Sequence, residues 1–222
     1  MKRKLTTAVV LGVLGSVSPS QAEDDGFEVL EQKRGIVVSA RDEPGRSLPT
    51  FRAQGTLVGP VLHVLAVLLD DARSTEWAEG ADEVRVLRIL DERTRIVHSR
   101  SHQPWPVQDR DLVMKRVVTV LEPGRAFSIR LTCVEGELLP MEGVLRIRDC
   151  ETRITVRAVD ATHTHVDYQV RADAGGSAPT WLVARATRKV PFDTLVALER
   201  QVKRTQGAYE RELRHWSNAP AG

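Results

Sequence analysis

The chain has 222 residues, 41% hydrophobic and 28% charged, with 32 lysines and arginines against 30 aspartates and glutamates. That length can bury a sizeable core in one ordinary domain. The near balance of charge gives no electrostatic case for a nucleic-acid partner. The first element departs from the rest. "MKRK" is basic, "LTTAVVLGVLGSV" is apolar but too short to span a bilayer comfortably, and "SPSQA" ends in small residues before acidic "EDD". The pattern predicts a signal peptide over residues 1–22, cut after Ala22, against the alternative of an N-terminal membrane anchor. With no Cys near the cut, it is not the pattern of a lipoprotein anchor. Cleavage leaves 29 basic and 30 acidic residues and predicts a periplasmic or secreted protein. Residues 23–216 read as one folded domain and "SNAPAG", residues 217–222, as a flexible tail.

Past the signal, "GIVVSARDEPG" reads as a strand ending in a turn at Pro44-Gly45, and "TFRAQGTLV" as a second strand. "GPVLHVLAVLLDDA" predicts a short helix, with Gly59 at the N-cap and Pro60 at the first helical position. Val61, Val64, Leu65 and Leu68 follow at helical spacing. A β-rich middle comes next. "EVRVLRIL" and "TRIVHSR" flank an Asp91-Glu92 turn, and "LVMKRVVTV" and "AFSIRLTCV" flank Glu122-Pro123-Gly124-Arg125. "GVLRIR", "TRITVRAV" and "HTHVDYQVRA" are three more strands. In the last of these, Thr164, Val166, Tyr168, Val170 and Ala172 face one way. A long helix begins near Thr180 with a kink expected at Pro191. Leu195, Leu198, Val202, Tyr209 and Leu213 form one apolar stripe along it. Two strands, a short helix, about seven strands and one long helix make an α+β helix-grip arrangement, in which a curved antiparallel sheet surrounds one amphipathic helix and can enclose a cavity.

Several residues carry chemistry. Arg116 alternates in phase with Leu112, Met114, Val118 and Val120, which puts a guanidinium on an apolar face. It is either an anchor for a ligand's polar end or half of an ion pair whose acid the sequence does not identify. In "PWPVQDRD", Trp105 covers one end of the sheet as a lid or a plug, and Asp109 and Asp111 can tie Arg110 or the neighbouring backbone. His163, His165 and Asp167 have metal-like spacing but lie on the polar face of their strand, so no metal is expected. His98 lies near Ser99 and Ser101, but no Gly-x-Ser-x-Gly elbow accompanies it. No catalytic residues and no cofactor are expected. Cys133 and Cys150 are either a disulfide or two buried thiols. Joined as a simple hairpin across "VEGELLPMEGVLRIRD", they would fall out of register. Arg185, Arg188, Lys189, Arg200, Lys203 and Arg204 give the last helix a basic side, suited to transient contact with a membrane surface or an ordinary solvated face.

Four stretches in order, "GIVVSARDEPGRSLPTFRAQGTL", "STEWAEGADEVRVLRILDERTRIVHSR", "PWPVQDRDLVMKR" and "APTWLVARATRKVPFDTLVALERQ", resemble the START (StAR-related lipid-transfer) domain family across nearly the whole mature chain. The resemblance implies a helix-grip fold around a tunnel that holds one lipid or other hydrophobic small molecule, with neither catalysis nor metal. Arg116 falls where sterol-handling members carry a cavity arginine. Their carboxylate partner would fall near Ser99, where this chain has no acid. The candidate lining is Arg116, Met114, Val118, Trp105, Tyr168 and Leu198. The competing reading is a polyketide cyclase or aromatase on the same fold, which needs a pair of titratable groups facing inward.

Overall fold

Alternation of apolar and polar residues sets more of this chain in strands than in helices, and their pairing makes one sheet. The structure, a computed structural model, describes residues 25–78, 80–103, 108–172 and 180–222, with the side chains of 180–187 outside the description. Trp105 and the signal segment therefore lie outside the described residues. Ten strands are described: β1 (Glu28–Lys33), β2 (Ile36–Arg41), β3 (Thr50–Val58), β4 (Glu83–Ile89), β5 (Thr94–Ser101), β6 (Asp109–Glu122), β7 (Ala126–Cys133), β8 (Val144–Ile147), β9 (Cys150–Ala158) and β10 (His163–Ala172). The order across the sheet is β1-β2-β3-β10-β9-β7-β6-β5-β4, antiparallel throughout. Only β8 lies off this path, parallel to the first residues of β6. The strand β1 was not expected. Arg34 and Gly35, both at positive φ (54° and 74°), form the two-residue turn that folds it back on β2.

Register places the residues of one face in rows. Val120, Phe127, Val156 and Val166 are cross-strand partners, as are Val118, Ile129, Ile154 and Tyr168. These point to the concave side, where α1 (Val61–Leu69) and α2 (Thr180–Arg204) pack. α1 is buried almost all round, as its nearly unbroken apolar sequence requires. It starts one residue later than expected, with Pro60 at the N-cap, and a short 3-10 helix, Asp71–Glu76, follows it. α2 carries Pro191 within its length.

Two expectations are corrected, and one question left open by the sequence, the state of the two cysteines, is answered. The last helix is two helices: α2 stops at Arg204, Gly207 and Tyr209 take positive φ (82° and 71°), and α3 (Glu210–Ser217) sets off anew. Leu195, Leu198 and Val202 stay on α2, while Tyr209 caps α3. Residues 217–222 are docked against the fold. Ala219 is buried, the Gly222 N–H donates to the Val120 carbonyl at 3.2 Å, and Arg93 donates to the Pro220 and Gly222 oxygens at 2.8 and 2.5 Å. The segment thereby covers β6 where β5 no longer pairs with it. Cys133 and Cys150 face each other with Cα atoms 5.2 Å apart and are joined. They are in register because β7 pairs directly with β9, and the intervening β8 turns aside to β6.

Candidate functional site

The concave face has two unlike halves. Toward α1 and α3, Leu57, Val118, Val120, Phe127, Ile129, Val156 and Val166 are buried, and α2 seals them with Leu195, Leu198 and Val202. Toward the other end of the strands the same face carries Leu112, Met114, Leu131, Thr152, Tyr168 and Val170, and each keeps accessible surface. Inward-facing apolar residues that are incompletely covered outline a space in which something else can lie.

Tyr168 stands where the two halves meet. Burial pushes its hydroxyl up to about 12, against the opposing pull of the Thr194 and Thr152 hydroxyls. The hydroxyl is thus enclosed by protein, while the side chain retains accessible area. Tyr168, Thr152 and Thr194 put polar atoms on an otherwise apolar wall.

Arg116 is buried, and its acid is Asp71 in the 3-10 helix. Nη1 donates to Oδ1 at 2.5 Å and Nη2 to Oδ2 at 3.0 Å, the two-pronged geometry of a guanidinium on a carboxylate. Arg95, the cross-strand partner of Arg116, donates to the same carboxylate at 2.9 Å. Arg116 and Val118 line a cleft of 640 Å³ bounded by the end of α1, the 3-10 helix, β4–β6 and α3. The acids and arginines of that cleft are partly consumed by one another and by the docked residues 220–222. Ser99 lies across from Leu112 and Val84 and plays no part in the Arg116 pair.

The two aspartates of "QDRD" have separate duties. Asp109 accepts from Arg100 at 2.8 Å, from the Gln103 N–H at 3.1 Å, and from His102 at 2.8 Å, and the first two bonds lead in holding its carboxyl down at about 2. Asp111 is fully buried on the convex side of β6. There Arg146 donates to both its oxygens (2.9 and 2.8 Å) and the His98 Nε2–H donates at 3.0 Å. Burial alone would raise the Asp111 carboxyl. The bonds from Arg146 and His98 and the charge of Arg146 outweigh it, and the net direction is down. The other ring nitrogen of His98 accepts from Arg85 at 3.3 Å. With both nitrogens occupied and no exposure, this His–Asp pair is a brace across β4, β5, β6 and β8. His163 binds Asp160, and Asp167 is bound by Arg52 and Gln54.

Of the six residues expected to line a cavity, Met114 and Tyr168 lie on the incompletely covered half. Val118 and Leu198 belong to the sealed half, Arg116 is tied to Asp71, and Trp105 is outside the described residues. Sequence reasoning missed Leu131 and Thr152, which the alternation of "AFSIRLTCV" and "TRITVRAV" places on this face once the register is known. It also missed Asp71, whose signal was an acid pair closing an apolar helix.

Comparison with known proteins agrees with this architecture. A protein of Pseudomonas aeruginosa described as uncharacterized is 25% identical over 199 residues, which is 89% of this chain and 95% of that one. A STAR-related lipid transfer protein of Xanthomonas axonopodis is 28% identical, with a TM-score of 0.73 over 81% of this chain and 99% of that structure. Human StAR-related lipid transfer protein 5 shares the fold at 18% identity, with a TM-score of 0.74 over 82% of this chain and 89% of its own. The family model for the START domain matches residues 20–206, and with that match over a helix-grip sheet the chain belongs to the START domain family.

Proposed function

We propose that this protein binds one lipid or similarly hydrophobic small molecule between its sheet and the first half of α2, and carries it between membranes. The observation behind the reading is Tyr168. Its side chain is packed against the sealed core on one side and keeps accessible surface on the other, so it marks where coverage of the concave face gives out, and the residues around it are largely apolar. Apolar burial at about 25 cal/mol per Å² supplies affinity without any charge. The named relatives among the solved structures support the reading, since two are lipid transfer proteins by description. It is a binder's wall and not an acid–base pair. Arg116 and Asp71 are committed to each other, and a tyrosine held near 12 stays protonated at neutral pH. The test is mass spectrometry of organic extracts from protein purified out of its native host, with thermal unfolding before and after extraction. A stoichiometric lipid, and a lower midpoint once it is removed, are expected. A protein that carries none, and whose midpoint no added lipid raises, overturns the reading.

We also propose that the chain acts outside the cytoplasm after loss of residues 1–22. The bond between Cys133 and Cys150 supports this, because structural disulfides persist in oxidising compartments. N-terminal sequencing of the periplasmic or secreted fraction should begin at Glu23. Intact Met1 on membrane-bound protein overturns it.

A further inference from the structure

Arg110 on β6 is a partly buried arginine for which the described residues supply no carboxylate partner. On β6 it lies six residues from Arg116, an even number, and the only irregularity recorded in that strand's pairing lies far away, between Val120 and Glu122. It therefore points to the concave face, as do Leu112 and Met114. Its cross-strand neighbours there are Ser101 on β5 and Leu145 on β8. It is only partly exposed, and burial pulls its pKa down from the ordinary arginine value.

Among the described residues, the carboxylates nearest to it in the sheet are engaged elsewhere. Asp109 holds Arg100, His102 and Gln103. Asp111 lies on the opposite face with Arg146 and His98. Asp82, one strand beyond Ser101, accepts from the His102 N–H at 2.6 Å. The one bond Arg110 makes among the described residues is a long one, 3.4 Å from Nη1 to the Gln108 carbonyl. A partly desolvated guanidinium costs free energy until an anion meets it. By contrast, Arg116 on the same face has a carboxylate in two-pronged contact.

We propose that Arg110 is the headgroup site of the cavity, taking the anionic oxygens of an amphiphile, a carboxylate or a phosphate ester, whose chain lies along Leu112, Met114, Leu131 and Val170. This rests on the cavity reading above and adds the polarity of the ligand and its direction. The head sits at the β5–β6 and β8 end of the strands, and the tail runs toward Tyr168 and the sealed half. A guanidinium offers several N–H donors in a planar fork that matches both kinds of head, and charge-assisted bonds of this kind are the strong ones.

The experiment uses three amphiphiles of one chain length, oleate, oleyl phosphate and oleyl alcohol, each below its micelle concentration. They displace the neutral fluorescent probe cis-parinaryl alcohol from the full mature protein. At least one anionic head should displace the probe at about tenfold lower concentration than the alcohol does, and which of the two does so names the source. Arg110→Gln should bring the anions to the alcohol's value and leave the alcohol unchanged. Arg110→Lys keeps the charge without the fork, should retain part of the preference, and serves if the glutamine variant fails to fold. If the probe and all three competitors fail to bind, the cavity reading falls. If they bind but the wild type does not distinguish the heads, or the preference survives in the glutamine variant, the Arg110 site alone falls.

Discussion

Asp71 holds two arginines at once, and that asymmetry predicts which partner matters more. Removing Arg116 leaves Asp71 with Arg95, so the carboxylate keeps a counter-charge. Removing the carboxylate leaves two guanidinium groups side by side on neighbouring strands, one of them buried. Asp71→Asn should therefore cost about 3–5 kcal/mol, the range for breaking a buried pair by deleting one partner. Arg116→Met should cost less, about 1.5–3 kcal/mol for the lost charged hydrogen bonds. Urea unfolding of the two ligand-free variants checks the order, and equal costs would mean that Arg95 does not compensate. The ion pair itself was legible only as a question. Arg116 announced itself by its phase among Leu112, Met114 and Val118, but its acid sits 45 positions away in the chain, at a helix end whose direction no local pattern reveals.

Between elements, the glycine with the least room for a side chain is Gly59, ahead of α1. A Cβ there would fall 2.5 Å from Val202 Cγ1 on α2. The backbone at Gly59 is fixed on both sides, its N–H donating to the Thr162 carbonyl and its own carbonyl accepting from the Thr164 hydroxyl, both at 2.7 Å. Gly59→Ala should therefore push α2 away, at a cost of about 1–3 kcal/mol. The about 0.4–1 kcal/mol by which alanine reduces the freedom of the unfolded chain does not offset that. A lowered urea midpoint checks it, and an unchanged one would show that α2 gives way freely. At this scale the strands with clean alternation, such as "HTHVDYQVRA", were readable and the connections were not. β1 escaped because all six of its residues are exposed and so present no buried period. The break between α2 and α3 escaped because it turns on Tyr209 at positive φ, which tyrosine does not advertise. The register of Cys133 and Cys150 escaped because it depends on β8 pairing with β6 instead of with its neighbours in sequence.

For the molecule as a whole, pH acts through the joint where the three helices meet. His63 on α1 is buried, its Nε2 lies 3.0 Å from the Thr205 hydroxyl, and its ring meets Tyr209 edge-on at 5.6 Å between centroids. The Thr205 hydroxyl donates to the Gln201 carbonyl, so the imidazole is the donor of the pair, as a neutral ring can be. Burial holds its pKa below the ordinary value. The unfolded chain takes up this proton near pH ~6.5 and the folded one does not until lower pH. The unfolded state then binds more protons, and stability falls as pH drops below about 6.5 until the folded ring also titrates. The expected result is a urea midpoint that declines between about pH 6.5 and 5, above the range of the depressed carboxylates, with a smaller decline in His63→Gln. A wild-type midpoint flat across that window would refute it. The sealed and the incompletely covered halves of the concave face carry a different consequence, one for descent. Phe127, Ile129, Val156 and Val166 cannot drift without loosening the fold, because each is buried among the others. Leu112, Met114, Leu131 and Val170 have room beside them, so exchanges of size and shape there cost the fold little. Lineages of this chain can change what fits against those four positions while inheriting the same framework.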